Sequence, residues 1–430
     1  MRGKSRQHVV DSMKGRESLP TTYRLLPTEK KSLPTTYCIL PTEKGFTLVE
    51  LMITMTVFVL VIAGASQIFT GLLTQFKQQS KIAETNIEGA IGLEILRQDL
   101  EHAGYGLPWV IPSDVTYTAA ETFSATPCGT GTTANPTTFN DSTPNAPRAV
   151  VSGNNTCLNG SDYLVIKAIN VATNNTSNKW ALLGNTGVLR YDISGDAFNT
   201  SDRVVVLDPG TSDATMRTLV GSGSTFYKQY SAVTDFNPSD STTTRFIYGI
   251  RDGAAPKVPL NRADYYISIP ATMPSQCAVG TGVLYKATMN HGSISGVNQF
   301  TELPLLDCVA DMQVVYALDN DEDGDFENGV GGDAYTNDIS GLAGATGARD
   351  VRTRVKELRV YILAHEGQYD KNFTFSGFTA GACATCVRVG LSNTFGRDFE
   401  FATSGITNWQ NYRWKIYTIV VKPNNLSGEK

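Results

Sequence analysis

One stretch of the chain limits its possible folds more than any other. Residues 51–76 contain no charged side chain, and most of them are Leu, Ile, Val, Met, Phe or Ala. About 20 apolar residues in a helix are enough to cross a lipid bilayer. Lys and Arg precede this stretch, which places the N-terminus in the cytoplasm. The sequence therefore predicts one transmembrane helix, over about residues 46–73, with the rest of the chain outside the cytoplasm.

The charge balance separates residues 1–45 from the remainder of the chain. They contain nine Lys or Arg and four Asp or Glu, whereas the whole chain has a formal net charge of −5. Residues 18–30 and 32–44 are a near-perfect tandem repeat rich in Pro and Thr, which offers no apolar period that could pack. We interpret residues 1–45 as a cleaved leader, either duplicated and unstructured or the product of a start codon placed too far upstream.

The junction between the leader and the apolar stretch carries a specific pattern. Gly45 precedes Phe46-Thr47-Leu48-Val49-Glu50, and no small-residue cleavage site of the secretory type follows the apolar stretch. Glu50 places a carboxylate inside a membrane segment, where a charge is costly and indicates a function. Residues 44–51 resemble the processing site of type IV pilins and of type II secretion pseudopilins.

This resemblance implies a maturation and an assembly route. A membrane peptidase of that family cuts after the glycine and methylates the new amine, so cleavage is expected between Gly45 and Phe46, giving N-methylphenylalanine. Glu50 is expected to pair with the amine of a neighbouring subunit, which offsets the cost of burying its charge. The implied partners are the prepilin peptidase/N-methyltransferase and other major and minor pilins. The implied location is the bacterial inner membrane and then an extracellular pilus.

Helical periodicity continues beyond the apolar stretch. Ile87, Ile91 and Ile95 recur every four residues beside a leucine row, and charged residues that include Asp99 lie between them. This pattern predicts an amphipathic helix that packs its apolar rows on a domain and ends at Gly104, so that the helix covers residues 46–104. Residues 96–106 and 412–422 resemble the helix end and the last strand of PilW-type minor pilins.

Residues 105–430 are predicted to form a β-rich domain in the periplasm or outside the cell. Short β-type segments separated by turn residues, without alternating helices, predict antiparallel sheet. The predicted strands are residues 163–169, 203–207, 244–250, 265–269, 282–287, 311–318, 355–364 and 413–421. Residues 111–160 predict a long surface loop or an extended excursion, and residues 111–300 an insertion or second β lobe. The expected fold class is α+β, with the long helix packed on an antiparallel sheet.

An acidic segment is the strongest candidate for a metal site. Asp319, Asp321 and Asp323 alternate before Gly324, as in the first half of a calcium loop. The twelfth position is Val330 in place of the usual bidentate Glu, so an EF-hand loop is incomplete. Asp325, Glu327 or Asp333 would have to supply further oxygens. The alternative is a solvated acidic loop without a metal.

The cysteines indicate disulfides. Removal of the leader removes Cys38, and an even number of cysteines outside the cytoplasm is typical of disulfide bonding. The six candidates are Cys128, Cys157, Cys277, Cys308, Cys383 and Cys386. Pairing in sequence order is one of many possible connectivities. Cys383-x-x-Cys386 precedes a strand-like segment and lacks a second such pair, which favours a structural disulfide over a redox or zinc site.

No catalytic motif stands out in the sequence. The four histidines are scattered, and nucleophile-elbow, zinc-protease and P-loop patterns are absent. The net charge of −5 argues against a nucleic-acid partner. The sequence thus predicts a structural protein without enzymatic activity, a PilW-type minor pilin of a tip or initiation complex. The alternatives are a minor pseudopilin of type II secretion and a pilus-tip adhesin or binding module.

Overall fold

The protein is described here by a computed structural model that covers residues 45–426 with several gaps. The gaps are residues 118–126, 130–131, 192–196, 213–214, 292–299, 380–382 and 393. The leader with its repeat and Cys38 therefore lies outside the described residues, apart from Gly45. The chain divides into two compact units, Met1–Gln67 and Ile68–Lys430. Helix α1, Leu48–Glu101, contributes residues to both.

Sixteen strands and a second helix, α2 (Gly347–Arg354), follow α1 in the part of the chain that the structure describes. The strands are β1 (Val150–Gly153), β2 (Tyr163–Ala168), β3 (Trp180–Gly184), β4 (Gly187–Tyr191), β5 (Asp202–Asp208), β6 (Thr218–Leu219), β7 (Lys228–Gln229), β8 (Arg245–Asp252), β9 (Asn261–Ser268), β10 (Gly282–Met289), β11 (Phe300–Leu318), β12 (Ala334–Thr336), β13 (Val355–Glu366), β14 (Cys386–Gly390), β15 (Gly396–Glu400) and β16 (Arg413–Val421).

The main sheet has eight antiparallel strands in the order β1-β2-β9-β10-β11-β13-β16, with β12 paired to β11. Side chains alternate between its two faces, as strand geometry requires. In β11, Val314 belongs to the core cluster that contains Leu96 and Leu100 of α1, whereas Val315 faces a second cluster formed with β14, β15 and aromatic residues near the C-terminus. The predicted α+β class, a long helix with an antiparallel sheet domain, is confirmed.

A second sheet of six antiparallel strands lies between residues 180 and 252. Its order is β4-β3-β8-β5-β6, with β7 paired to β5. It has a core of its own, in which Val204, Val206 and Ile247 are completely buried. This sheet falls within residues 111–300, where the sequence predicted an insertion or a second β lobe.

All eight predicted strand segments are strands, and β11 is much longer than predicted because it begins at Phe300. Of the two alternatives predicted for residues 111–160, the surface loop is wrong for the residues described there. Val115, Tyr117, Cys128 and Phe139 are buried. The composition of this segment hides its role, because a few widely spaced apolar side chains anchor it while polar residues connect them.

The face that α1 packs on the domain agrees with the predicted leucine row and differs at the isoleucine row. Ile87 and Ile91 are 64% and 61% exposed, and Ile95 is only partly buried against the core. The buried residues of α1 are Gly89, Gly92, Leu96, Asp99 and Leu100. A Cβ atom at Gly92 would lie 1.9 Å from the carbonyl oxygen of Leu305 in β11. The helix therefore approaches the sheet through glycines, where larger apolar side chains would not fit.

Asp99 gives this helix face a buried charge. Lys286 of β10 forms an ion pair with its carboxylate, and the hydroxyl of Tyr265 in β9 donates a hydrogen bond to it. Lys286 is 6% exposed and Tyr265 is completely buried. Burial raises the pKa of Asp99, although Lys286 and the Tyr265 hydroxyl act in the opposite direction. The charged residues predicted between the apolar rows of α1 thus include one, Asp99, that attaches the helix to strands β9 and β10 of the main sheet.

Candidate functional site

The junction between leader and helix is open in the structure. Gly45, Phe46 and Thr47 have no regular secondary structure, and α1 begins at Leu48. No heavy atom of the described residues lies within 4 Å of the position that a Cβ of Gly45 would occupy, and Phe46 is 83% exposed. The Gly45–Phe46 peptide bond is therefore in a segment that a protease can reach without unwinding a helix.

Glu50 caps the helix that follows this bond. The backbone N–H and the side-chain hydroxyl of Thr47 each donate to Oε2 of Glu50 at 3.0 Å. The backbone N–H of Glu50 donates in turn to Oγ1 of Thr47 at 3.2 Å. This reciprocal pair is a capping box, which satisfies N–H groups at the helix start. Sequence reasoning missed Thr47, although the spacing Thr-x-x-Glu is the local signal for such a cap.

The first part of α1 presents an uninterrupted apolar surface. From Leu48 to Phe76 every residue is exposed, and its large apolar side chains are between 43% and 76% exposed. Among the described residues α1 is the one helix long and apolar enough to cross a membrane. Such a surface is stable only in an apolar environment, which a bilayer or the helices of other subunits can supply.

The six candidate cysteines form three disulfides in the order of the sequence, which agrees with the disulfide interpretation. They are Cys128–Cys157, Cys277–Cys308 and Cys383–Cys386. The first links the segment before β1 to the turn before β2, and the second links the β9–β10 connection to β11. Cys386 is 3% exposed at the start of β14. The second and third bonds thus connect an irregular segment to a strand, whereas the first connects two irregular segments on either side of β1.

The acidic segment connects β11 to β12. Carboxylate oxygens of Asp319, Asp321 and Asp333 lie within 4.8 Å of one another. The structure brings these three together and leaves the other predicted ligands outside the group. Asp323, Asp325 and Glu327 are exposed. The sequence offered Asp333 only as one of three further oxygen donors, because it lies beyond the usual length of a calcium loop. The pairing of β11 with β12 brings Asp333 close to Asp319.

Comparison with known proteins finds a match at the junction. Residues 40–66 match the family model described as the prokaryotic N-terminal methylation motif. No curated protein and no solved structure matches the chain. The motif supports a precursor of the type IV pilin-like or pseudopilin kind, and it implies processing by a prepilin peptidase and assembly with other pilins. The match includes Gly45, Phe46 and Glu50 and covers the start of α1.

Proposed function

We propose that this chain is a minor type IV pilin of the PilW type, which joins a tip or initiation complex of the pilus. Its mature form begins at Phe46 and consists of helix α1, Leu48–Glu101, which is shorter at both ends than the predicted helix over residues 46–104, and the domain over residues 105–430. The observation that carries the proposal is the methylation motif at residues 40–66, which includes the start of α1, where every residue from Leu48 to Phe76 is exposed.

The mechanism is a transfer of one apolar surface between two apolar environments. Before assembly, the residues from Leu48 to Phe76 lie in the inner membrane, which they cross once with the N-terminus in the cytoplasm. Assembly moves the same surface from lipid into the helical core of the filament, so it never becomes exposed to water. No catalytic step by this chain is required, because the peptidase and the assembly machinery supply the chemistry and the work.

Glu50 gives this transfer its specificity. Its carboxylate caps α1 through Thr47 and carries a charge that the surrounding apolar residues cannot compensate. Cleavage after Gly45 creates a positively charged amine at Phe46 on each neighbouring subunit. Pairing of that amine with Glu50 would compensate both charges and set the axial position of one subunit against the next.

Two substitutions separate the cap from the charge. Glu50→Gln keeps an oxygen that can accept both Thr47 hydrogen bonds, whereas Glu50→Ala removes the cap as well. If charge pairing drives assembly, both variants should be lost from sheared filaments while remaining in the membrane fraction in normal amounts. Glu84→Gln is the matched control, because Glu84 is an exposed glutamate of the same helix. Normal incorporation of Glu50→Gln would contradict the pairing role.

A minor pseudopilin of type II secretion is the alternative that shares the same motif and helix. Deletion of the gene distinguishes the two functions. Loss of surface pili with normal secretion of exoproteins supports the pilin, and the reverse result supports the pseudopilin. Counting this chain against the major subunit in sheared filaments then tests the tip role, which requires only a few copies per filament.

A further inference from the structure

We propose that the loop between β11 and β12 binds one Ca²⁺ ion through Asp319, Asp321 and Asp333. This set differs from the linear series 319-321-323-325-327 that the sequence suggests, because its third carboxylate comes from the far end of the loop. The proposal does not depend on the chain being a pilin, since it concerns a site within the β-domain.

Asp319 supplies the observation that points to a ligand. Its side chain is completely buried, and its Oδ1 atom has no hydrogen-bond partner. Its other oxygen, Oδ2, accepts the N–H of Gly324 at 2.9 Å and lies 3.2 Å from Nζ of Lys356. A buried carboxylate oxygen without a partner is unfavourable, and a cation bound there would satisfy it.

Asp333 is held in place by the loop it closes. It is 4% exposed, and its two carboxylate oxygens accept the backbone N–H groups of Asn320 at 2.7 Å and Glu327 at 2.9 Å. Its backbone carbonyl accepts the N–H of Gly329 at 2.8 Å. Each carboxylate oxygen keeps a further lone pair for a metal, so the ligand is oriented before any ion arrives.

Asp321 completes the group and depends on a glycine beside it. A Cβ atom at Gly331 would lie 1.6 Å from Oδ2 of Asp321, and the φ angle of Gly331 is +62°. A side chain at position 331 would therefore displace the carboxylate as well as strain the backbone. Gly331 allows the tip of the loop to fold back against the Asp321 carboxylate.

The chemistry of this group favours calcium. Its three side-chain ligands are all carboxylate oxygens, without His or Cys, which is the donor type that Ca²⁺ binds. Two oxygens bound to one Ca²⁺ lie at most about 5 Å apart, against about 4 Å for Mg²⁺, given the usual metal–oxygen distances. The separation within 4.8 Å among the three carboxylates is within the limit for Ca²⁺. Water and backbone carbonyls would supply the remaining ligands.

The excess of negative charge in the loop also favours a bound cation. Residues 319–333 contain seven Asp or Glu and no Lys or Arg. Lys356 and Arg349 reach it from outside, at Asp319 and Glu322, and Arg354 donates a hydrogen bond to the side chain of Asn320. These three cations compensate only part of the charge, and carboxylates this close repel one another. A bound divalent cation would relieve that repulsion and fix the end of β11 to the start of β12.

The test is calorimetric titration of CaCl₂ into the full chain in detergent after removal of metals with a chelator. We expect one saturable Ca²⁺ site. Asp321→Asn and Asp333→Asn should each weaken it on the order of tenfold or more, as loss of a carboxylate ligand does. Gly331→Ala should weaken it through displacement of Asp321. Asp325→Asn is the matched control, since it removes one exposed charge of the same loop and should change the affinity by less than about twofold.

Two results would overturn the proposal. One is the absence of saturable Ca²⁺ binding by the unmodified chain. The other is an equal loss of affinity in Asp325→Asn and Asp321→Asn, which would indicate the linear ligand set or a diffuse charge effect. Asp321 is exposed, so Asp321→Asn tests the site without disturbing the core. Binding is measured on the chain alone, so its failure would leave the pilin proposal unaffected, and failure of pilus assembly would leave the calcium site unaffected.

Discussion

The two ends of helix α1 show two ways in which a helix specifies its surroundings. From Leu48 to Phe76 no residue is buried, and the apolar side chains form the surface. From Gly89 to Leu100 the helix packs on a sheet, and its buried face consists of two glycines, two leucines and one aspartate. Apart from the charge partner proposed for Glu50, the first end requires only an apolar environment. The second end requires one particular partner surface, with a charge at a defined place.

Glycine shows the difference most clearly. Gly64 and Gly71 in the apolar end have no heavy atom within 4 Å of a Cβ position, whereas Gly92 has the backbone of Leu305 at 1.9 Å. The same residue type therefore has no packing role at one end and determines the helix–sheet distance at the other. The hydropathy of the sequence is enough to predict the surroundings of the first end. The packing of the second end depends on how closely the helix and β11 fit together.

The largest effect is expected from the buried charge of the packed end. Asp99→Ala should lower the free energy of unfolding by about 3 to 5 kcal/mol, because it leaves Lys286 buried without its partner. Urea unfolding followed by tryptophan fluorescence measures this loss. Glu84→Ala, which breaks an exposed pair with Lys81 on the same helix, should leave the unfolding midpoint unchanged. Equal midpoints for the two variants would show that Asp99 does not anchor the helix.

The next effect compares two glycines. Gly92→Ala should cost about 1 to 3 kcal/mol through overpacking against Leu305, even though alanine favours a helix by about 1 kcal/mol. Gly71→Ala has open space around it and should not destabilise the domain. The same urea unfolding assay applies to both. A stabilised Gly92→Ala variant would mean that the helix can move away from β11 at no cost.

A third effect concerns pH, because the β-domain buries two histidines, His291 and His365, and the apolar end has none. His365 is 3% exposed, and its Nε2 accepts the N–H of Ala278 at 2.9 Å. Burial lowers the pKa of His365 to about 3 from 6.5. The unfolded chain thus binds a proton that the folded chain does not, and stability is lost as the pH falls from 6.5 toward 3.

His365→Gln should remove this contribution. Its stability should fall less steeply between pH 6 and pH 4 than that of the unmodified chain, by about 1.4 kcal/mol per pH unit. Unfolding curves of both chains at pH 6, 5 and 4 provide the comparison. Parallel losses of stability in the two chains would show that His365 is already protonated in the folded domain.

The smallest effect is expected at the isoleucine row that the sequence assigned to the packed face. Ile91 is 61% exposed, so Ile91→Ala should change the free energy of unfolding by less than about 0.5 kcal/mol. Thermal unfolding of the chain in detergent is sufficient to test this. A loss of several kcal/mol, about the value for a buried isoleucine, would restore the face that periodicity predicts.

Features that depend on neighbouring residues were predictable from the sequence, whereas features that depend on contacts between distant residues were not. The long apolar helix, the N-terminal methylation motif and the strands β2, β5 and β13 carry local patterns of sequence, and all were found. The leucine row of the packed face of α1 was predictable, and Leu96 and Leu100 are buried there. The glycines of that face were not, because their role depends on how closely Leu305 approaches Gly92. Asp333 was likewise only one of several options, since a hairpin brings it to Asp319. Thr47 could have been found from its spacing to Glu50.

The measurement that tests the central claim most directly is mass spectrometry of the intact chain and its N-terminal peptide from the native envelope. The account predicts a mature chain that begins at N-methylated Phe46, and a Gly45→Leu variant that keeps its leader. A wild-type chain that retains residues before Phe46 would contradict the claim. The apolar end of α1 would then be an ordinary membrane anchor, and Glu50 would serve only as its helix cap.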